Sequence, residues 1–123
     1  MLEEYIDLGL PSGTLWASSN TGAPQEWSRG STSTWSYSSD LPTTDDWSEL
    51  LSLPSEVIEV EGYPVRRFYG STGTALYVPL GVYWTPEISA NGYSGVTWEL
   101  VERSGYISEA PTETPLMCRT IKR

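Results

Sequence analysis

Tyr5-Ile6-Asp7-Leu8-Gly9-Leu10-Pro11-Ser12-Gly13-Thr14-Leu15-Trp16-Ala17 shows the grammar that most of the chain follows. Two short β-prone runs flank a Pro/Gly turn, which predicts a hairpin or a strand with a corner. The same alternation of short run and turn returns after Pro54. Val57–Val60 and Val65–Tyr69 are separated by Glu61-Gly62-Tyr63-Pro64, and Gly70-Ser71-Thr72-Gly73 is a turn before the strong strand Thr74–Leu80. Val82–Thr85 is a further strand broken by Pro86, with Val96–Val101, Gly105–Ile107 and Leu116–Ile121 completing the set.

One helix interrupts this pattern, around residues 43–52, in Leu41-Pro42-Thr43-Thr44-Asp45-Asp46-Trp47-Ser48-Glu49-Leu50-Leu51. Thr43 is placed to cap it, and Asp46 stands at the capping-box spacing. Asp45, Asp46 and Glu49 complement the positive end of the helix dipole, which makes this acidic cluster a capping device rather than a metal or acid/base site. Trp47, Leu50 and Leu51 fall at i, i+3 and i+4 and form one apolar stripe; Pro54 stops the helix. Many short strands with one short helix indicate an α+β fold dominated by antiparallel sheet. The 123 residues fit a single domain, 1–123. Between Asn20 and Asp40 the sequence is rich in Ser, Thr and Gly but carries Trp27, Trp35 and Tyr37, so it reads as an ordered loop pinned by rings.

Six Trp and eight Tyr stand against one Phe, so most rings carry a polar handle and suit half-buried sheet faces or recognition sites. Sixteen acidic residues against seven basic ones give a net charge of −9. A chain so charged has no large basic face, which excludes nucleic acid as a partner and disfavours an anionic membrane surface. Acidity of this kind chiefly serves solubility, a cationic partner or loosely held divalent cations being the other uses. No apolar run is long enough for membrane insertion, and the opening Met1-Leu2-Glu3-Glu4-Tyr5 shows no signal peptide.

With no His, a Ser–His triad, a Cys–His dyad and a conventional zinc site are excluded. The lone Cys118 reads as a small buried hydrophobe in a late strand. Arg66-Arg67 reads as a solvated pair or a salt link to the acidic surface. Calcium-dependent sugar binding needs convergent oxygen ligands, and Thr85-Pro86-Glu87 and Trp98-Glu99-Leu100 lack the flanking carboxylates and amides. The expectation is a non-enzymatic chain with no cofactor and no metal.

The opening block, with Asn20 and Gly22-Ala23 after it, resembles the start of the Fibrobacter succinogenes major paralogous domain family, found in Bacteroidales and their phages. Four more blocks follow in that family's order: Leu41-Pro42-Thr43 with Trp47, Glu49, Leu50 and Leu51; Ala75-Leu76-Tyr77-Val78-Pro79-Leu80; Tyr83-Trp84-Thr85; and Met117-Cys118-Arg119 with Ile121. The stretch Pro24–Asp40 and the loop between Pro79 and Trp84 are shorter than the family's, and Ser18-Ser19 stands where a Cys is common. The resemblance implies a compact C-type-lectin-like fold whose ligand face lies on the late loops, roughly Trp84–Val96 and Glu102–Pro115. The candidate ligand surface is then Trp84, Thr85, Glu87, Asn91, Tyr93 and Tyr106, with Trp84 also reading as a core residue and Tyr93 as exposed. The implied function is a surface binding or adhesion module, a phage virion decoration or fibre-tip domain located on the virion or a cell surface. Its partner is a protein or glycan on a cell surface, or neighbouring virion proteins, and homo-oligomerisation is left open. The alternatives are a purely structural subunit or capping domain, or an envelope or fimbrial adhesin module.

Overall fold

The computed structural model describes residues 4–123. In chain order these residues form β1 (Tyr5–Asp7), β2 (Leu15–Ala17), β3 (Thr32–Ser33), α1 (Thr44–Leu50), β4 (Ser55–Val60), β5 (Tyr63–Tyr69) and β6 (Ala75–Pro79). β7 (Gly81–Ile88), β8 (Ser94–Leu100), β9 (Gly105–Pro111), β10 (Leu116–Met117) and β11 (Ile121–Lys122) follow. Among the described residues three sheets form, ordered β1-β2-β11, β3-β10-β7-β8-β9 and β4-β5-β6. Neighbours run antiparallel except β10 and β7, which meet in parallel at Met117 and Tyr83. The β-rich, one-helix architecture expected from the turn spacing is therefore present.

The helix forms for the reasons its sequence supplies. Thr43 Oγ1 accepts from the Asp46 N–H at 3.2 Å while Asp46 Oδ2 accepts from the Thr43 N–H at 2.8 Å, a reciprocal capping box. The apolar stripe drives Trp47 into the centre of the molecule, where it has no exposed surface. Trp16 meets it edge-on at 4.9 Å, Tyr83 at 4.9 Å, and Trp98 lies parallel to it at 6.4 Å. Aromatic pairs of this geometry add roughly 0.5–1.5 kcal/mol each beyond their burial. Leu8, Leu50, Phe68, Leu76 and Leu100 close around the rings.

A polar hub sits beside this apolar one. Arg119 is fully buried, and its guanidinium donates to Asn20 Oδ1 at 2.8 Å, the Ala17 carbonyl at 2.7 Å and the Tyr77 carbonyl at 2.6 Å. Asn20 in turn donates to the Tyr83 hydroxyl at 3.0 Å, and that hydroxyl donates to the Pro79 carbonyl at 2.7 Å. Burial pushes the Tyr83 phenol up to about 12, so it stays a donor at any working pH.

Several sequence readings need correction. The late strand Leu116–Ile121 is two strands, β10 and β11, because residues 118–120 turn aside to deliver Arg119 into the core. β7 does not stop at Pro86: it runs to Ile88 through an irregularity that offsets its register with β8 between Trp84 and Ile88. A proline without an N–H is tolerated where a bulge leaves that position out of the ladder. The loop Asn20–Asp40 contributes β3, and β9 reaches Pro111 rather than ending at Ile107. Arg66 is not solvated. It is 6 % exposed, lies over the Phe68 ring, and donates to Ser55 Oγ and to the Val101 and Ser104 carbonyls at 2.9–3.0 Å. Only Arg67 makes the surface pair, with Glu56 at 3.1 Å. Cys118 is half-buried, its thiol pushed up by burial and lying 3.4 Å from Ser33 Oγ.

Candidate functional site

The six residues of the expected ligand surface are distributed by β7, β8 and β9 to three different environments. Trp84 and Thr85 lie in the bulged part of β7 and are enclosed, at 1 % and 0 % exposure. The Trp84 indole donates to the Ser33 carbonyl at 2.8 Å, and the Thr85 hydroxyl donates to the Val96 carbonyl at 2.8 Å. Trp35 covers them from the loop, its own indole donating to the Thr85 carbonyl at 3.0 Å. Gly95 makes this closeness possible, since a Cβ there would fall 2.6 Å from both the Trp35 and Trp84 rings. These two residues have no surface to offer a ligand.

Glu87 emerges from the same irregularity and is exposed, but its carboxylate accepts from the Thr44 N–H at 3.3 Å at the start of α1. Asn91 and Tyr93 share the turn between β7 and β8. Asn91 Oδ1 accepts from the Ser89 hydroxyl at 2.6 Å, the Tyr93 N–H at 2.7 Å and the Ser94 N–H at 3.2 Å, which fixes the turn from inside. Tyr93 then projects outward with 81 % of its surface exposed. Tyr106 lies at the other end of β8, opposite Glu99, whose carboxylate takes its hydroxyl at 2.6 Å. At about 3.3 Å per strand residue, Tyr93 and Tyr106 are separated by roughly 20 Å. The structure brings Asn91 and Tyr93 together and keeps Tyr106 apart from them.

Two concavities are present, the first of which includes Tyr106, and the sequence pattern did not reveal either. The first, about 280 Å³, runs between α1 and the β8–β9 ribbon, lined by Asp45, Ser48, Trp98, Gly105, Tyr106 and Ile107. Its floor depends on Gly105, where a Cβ would stand 2.5 Å from the Trp98 indole nitrogen. The second, about 360 Å³, lies at the loop 21–31 against Tyr63 of β5 and includes Trp27 and Arg29. Its two parts are 32 residues or more apart in sequence and meet only through the fold; the one local signal is the pair Gly22 and Gly30, both with left-handed backbone (φ 77° and 73°).

Among the described residues, no group of His, Cys, Asp or Glu is placed to hold a metal ion, and no helix is long and apolar enough to cross a membrane. What the surface offers is ring faces, hydroxyls and hydrogen-bonded turns, the materials of adaptable recognition. The chain matches no family model, and no curated protein or solved structure matches it.

Proposed function

We propose that this chain is a non-enzymatic surface binding or adhesion module of C-type-lectin-like fold, acting as a phage virion decoration or fibre-tip domain. It would hold a bacterial surface ligand or glycan by ring stacking, without calcium. The observation that carries the reading is Tyr93: a ring 81 % exposed on a turn fixed by three hydrogen bonds to one amide oxygen, two of them from backbone N–H groups. An exposed aromatic with only two side-chain torsions on a fixed turn loses little freedom when it binds, so its contact area converts efficiently into affinity. The five ordered sequence blocks support the fold assignment, and the acidic surface suits a displayed, soluble module. Whole-cell and glycan-array binding of the wild type and Tyr93→Ala tests the proposal. The variant is expected to melt within about a degree of wild type yet bind at least tenfold more weakly; equal binding by both proteins removes Tyr93 as the anchor.

A second reading, a structural subunit within an assembly, is favoured by β9. It is the outer strand of its sheet, it runs for seven residues, and Ile107 and Tyr106 on it are 59 % and 48 % exposed. An exposed edge of that kind is a template for a neighbouring strand.

A further inference from the structure

The pocket at Trp27, Arg29 and Tyr63 is built from parts that are individually held. Its loop is closed at the neck, where the Ser31 N–H donates to the Thr21 carbonyl at 3.0 Å and the Thr21 N–H donates to the Cys118 carbonyl at 2.9 Å. The neck admits only glycine at two places. A Cβ at Gly30 would lie 2.5 Å from the Thr21 carbonyl oxygen, and one at Gly22 would lie 2.3 Å from Ser31 Oγ. Buried Asn20 reaches out from the polar hub to the Arg29 carbonyl at 3.0 Å, so the Arg29 backbone is tied directly to the core. Opposite the loop stands Tyr63, 51 % exposed, the first residue of β5. Trp27 is half-buried between them.

Among the described residues, Arg29 and Arg103 are the exposed cations with neither an ion pair nor a ring contact, and of these two Arg29 alone lines one of the two concavities. Arg67 and Arg123 are matched by Glu56 and Asp46, Arg66 and Arg119 are spent on buried acceptors, and Lys122 lies over the Tyr5 ring. The exposed Arg29 guanidinium has no carboxylate within ion-pair distance among the described residues, and its one hydrogen bond, to the Leu80 carbonyl, is long at 3.4 Å. In a protein of net charge −9 an uncommitted guanidinium lining a cavity invites an anion. The rest of the lining sets which one. Trp27 and Tyr63 in the lining are ring types that stack on the C–H face of a pyranose, Ser28 and Ser31 are types that hydrogen-bond its hydroxyls, and a planar guanidinium matches one carboxylate in a bidentate fork. One cation neutralises one carboxylate. A polyanion such as a nucleic acid would remain under-neutralised and be repelled by the remaining surface charge. The volume, about 360 Å³, is at the lower end of the roughly 300–1,000 Å³ usual for small-molecule sites and suits one or two sugar units.

We infer that the Trp27–Arg29–Tyr63 pocket is a binding site for a carboxylate-bearing sugar, a uronic or sialic acid residue. The site is separate from Tyr93 and does not depend on that proposal. The test is titration of the ¹⁵N-labelled protein with free glucuronate, galacturonate and N-acetylneuraminate, with glucose, galactose and acetate as comparators, followed through the Trp27 indole signal. At least one acidic sugar is expected to shift that signal saturably, at least tenfold more tightly than its neutral counterpart and than acetate, and more weakly as salt rises. Arg29→Gln and Tyr63→Ser, both at exposed positions, are each expected to weaken binding tenfold or more with an unchanged melting temperature, whereas Tyr93→Ala leaves it intact. Equal binding of neutral and acidic sugars, equal binding of acetate, a silent Trp27 signal, or full retention of binding in Arg29→Gln would each overturn the inference.

Discussion

Asn20 is the residue on which most of the interior polar chemistry turns. It is 1 % exposed and serves Arg119, Tyr83 and the Arg29 carbonyl at once. Asn20→Ala would strip one hydrogen bond from a buried guanidinium and one from a buried phenol. Losing a partner of a buried charge is far more costly than losing a surface contact, so a loss of roughly 3 kcal/mol or more is expected in urea denaturation. Arg119→Lys should fare no better, since a single ammonium cannot span acceptors on β2, β6 and Asn20 in the plane that the guanidinium fills. Trp47 fails differently. Trp47→Ala opens a cavity among three other rings and should cost about 3–5 kcal/mol in thermal or denaturant melts. A near-wild-type melt for Trp47→Ala would contradict the ring-centred core.

At the scale of elements, α1 carries its own acid sensitivity. Burial pushes the Asp46 carboxyl upward, but hydrogen bonds from Arg123 and from Thr43 outweigh it, and the group is held below its ordinary value. A carboxylate lowered in the folded state contributes stability above its unfolded value of about 4, and that contribution is lost as pH falls through the folded value. Asp46→Asn should therefore cost about 1–2 kcal/mol at pH 7, with a gap to wild type that narrows below pH 4, as melts across pH 2–7 would show. The helix was legible because every determinant, Thr43, Asp46 and the Trp47–Leu50–Leu51 stripe, lies within nine residues. The hairpins were legible for the same reason. The division between β10 and β11 was not, because what diverts the chain at Arg119 is Asn20, 99 residues earlier. The site divides along the same line. Exposure of Tyr93 follows from its own turn, whereas Trp84 is enclosed by the distant Ser33 and Trp35, and Trp27 meets Tyr63 only after two segments have docked.

Across the whole molecule, the surface is unevenly protected against self-association. Net charge of −9 keeps copies apart, yet β9 presents an open edge with Ile107 and Tyr106 exposed. If that edge pairs with another strand, Ile107→Lys should shift sedimentation toward monomer while leaving the melting temperature unchanged, and raised salt should have the opposite effect on the wild type. The sheet β1-β2-β11 has a different consequence. Its central strand β2 pairs on one side with β1 and on the other with β11, where Trp16 lies opposite Ile121. Ribosomes add roughly 5–20 residues per second, so β2 waits several seconds for its second neighbour during synthesis. Throughout that interval Trp16 lacks Ile121, and Asn20 lacks the guanidinium it will hold. The ring cluster around Trp47 and the polar latch at Arg119 both draw on residues from the two ends of this domain, so its core closes only once the segment through Ile121 has emerged.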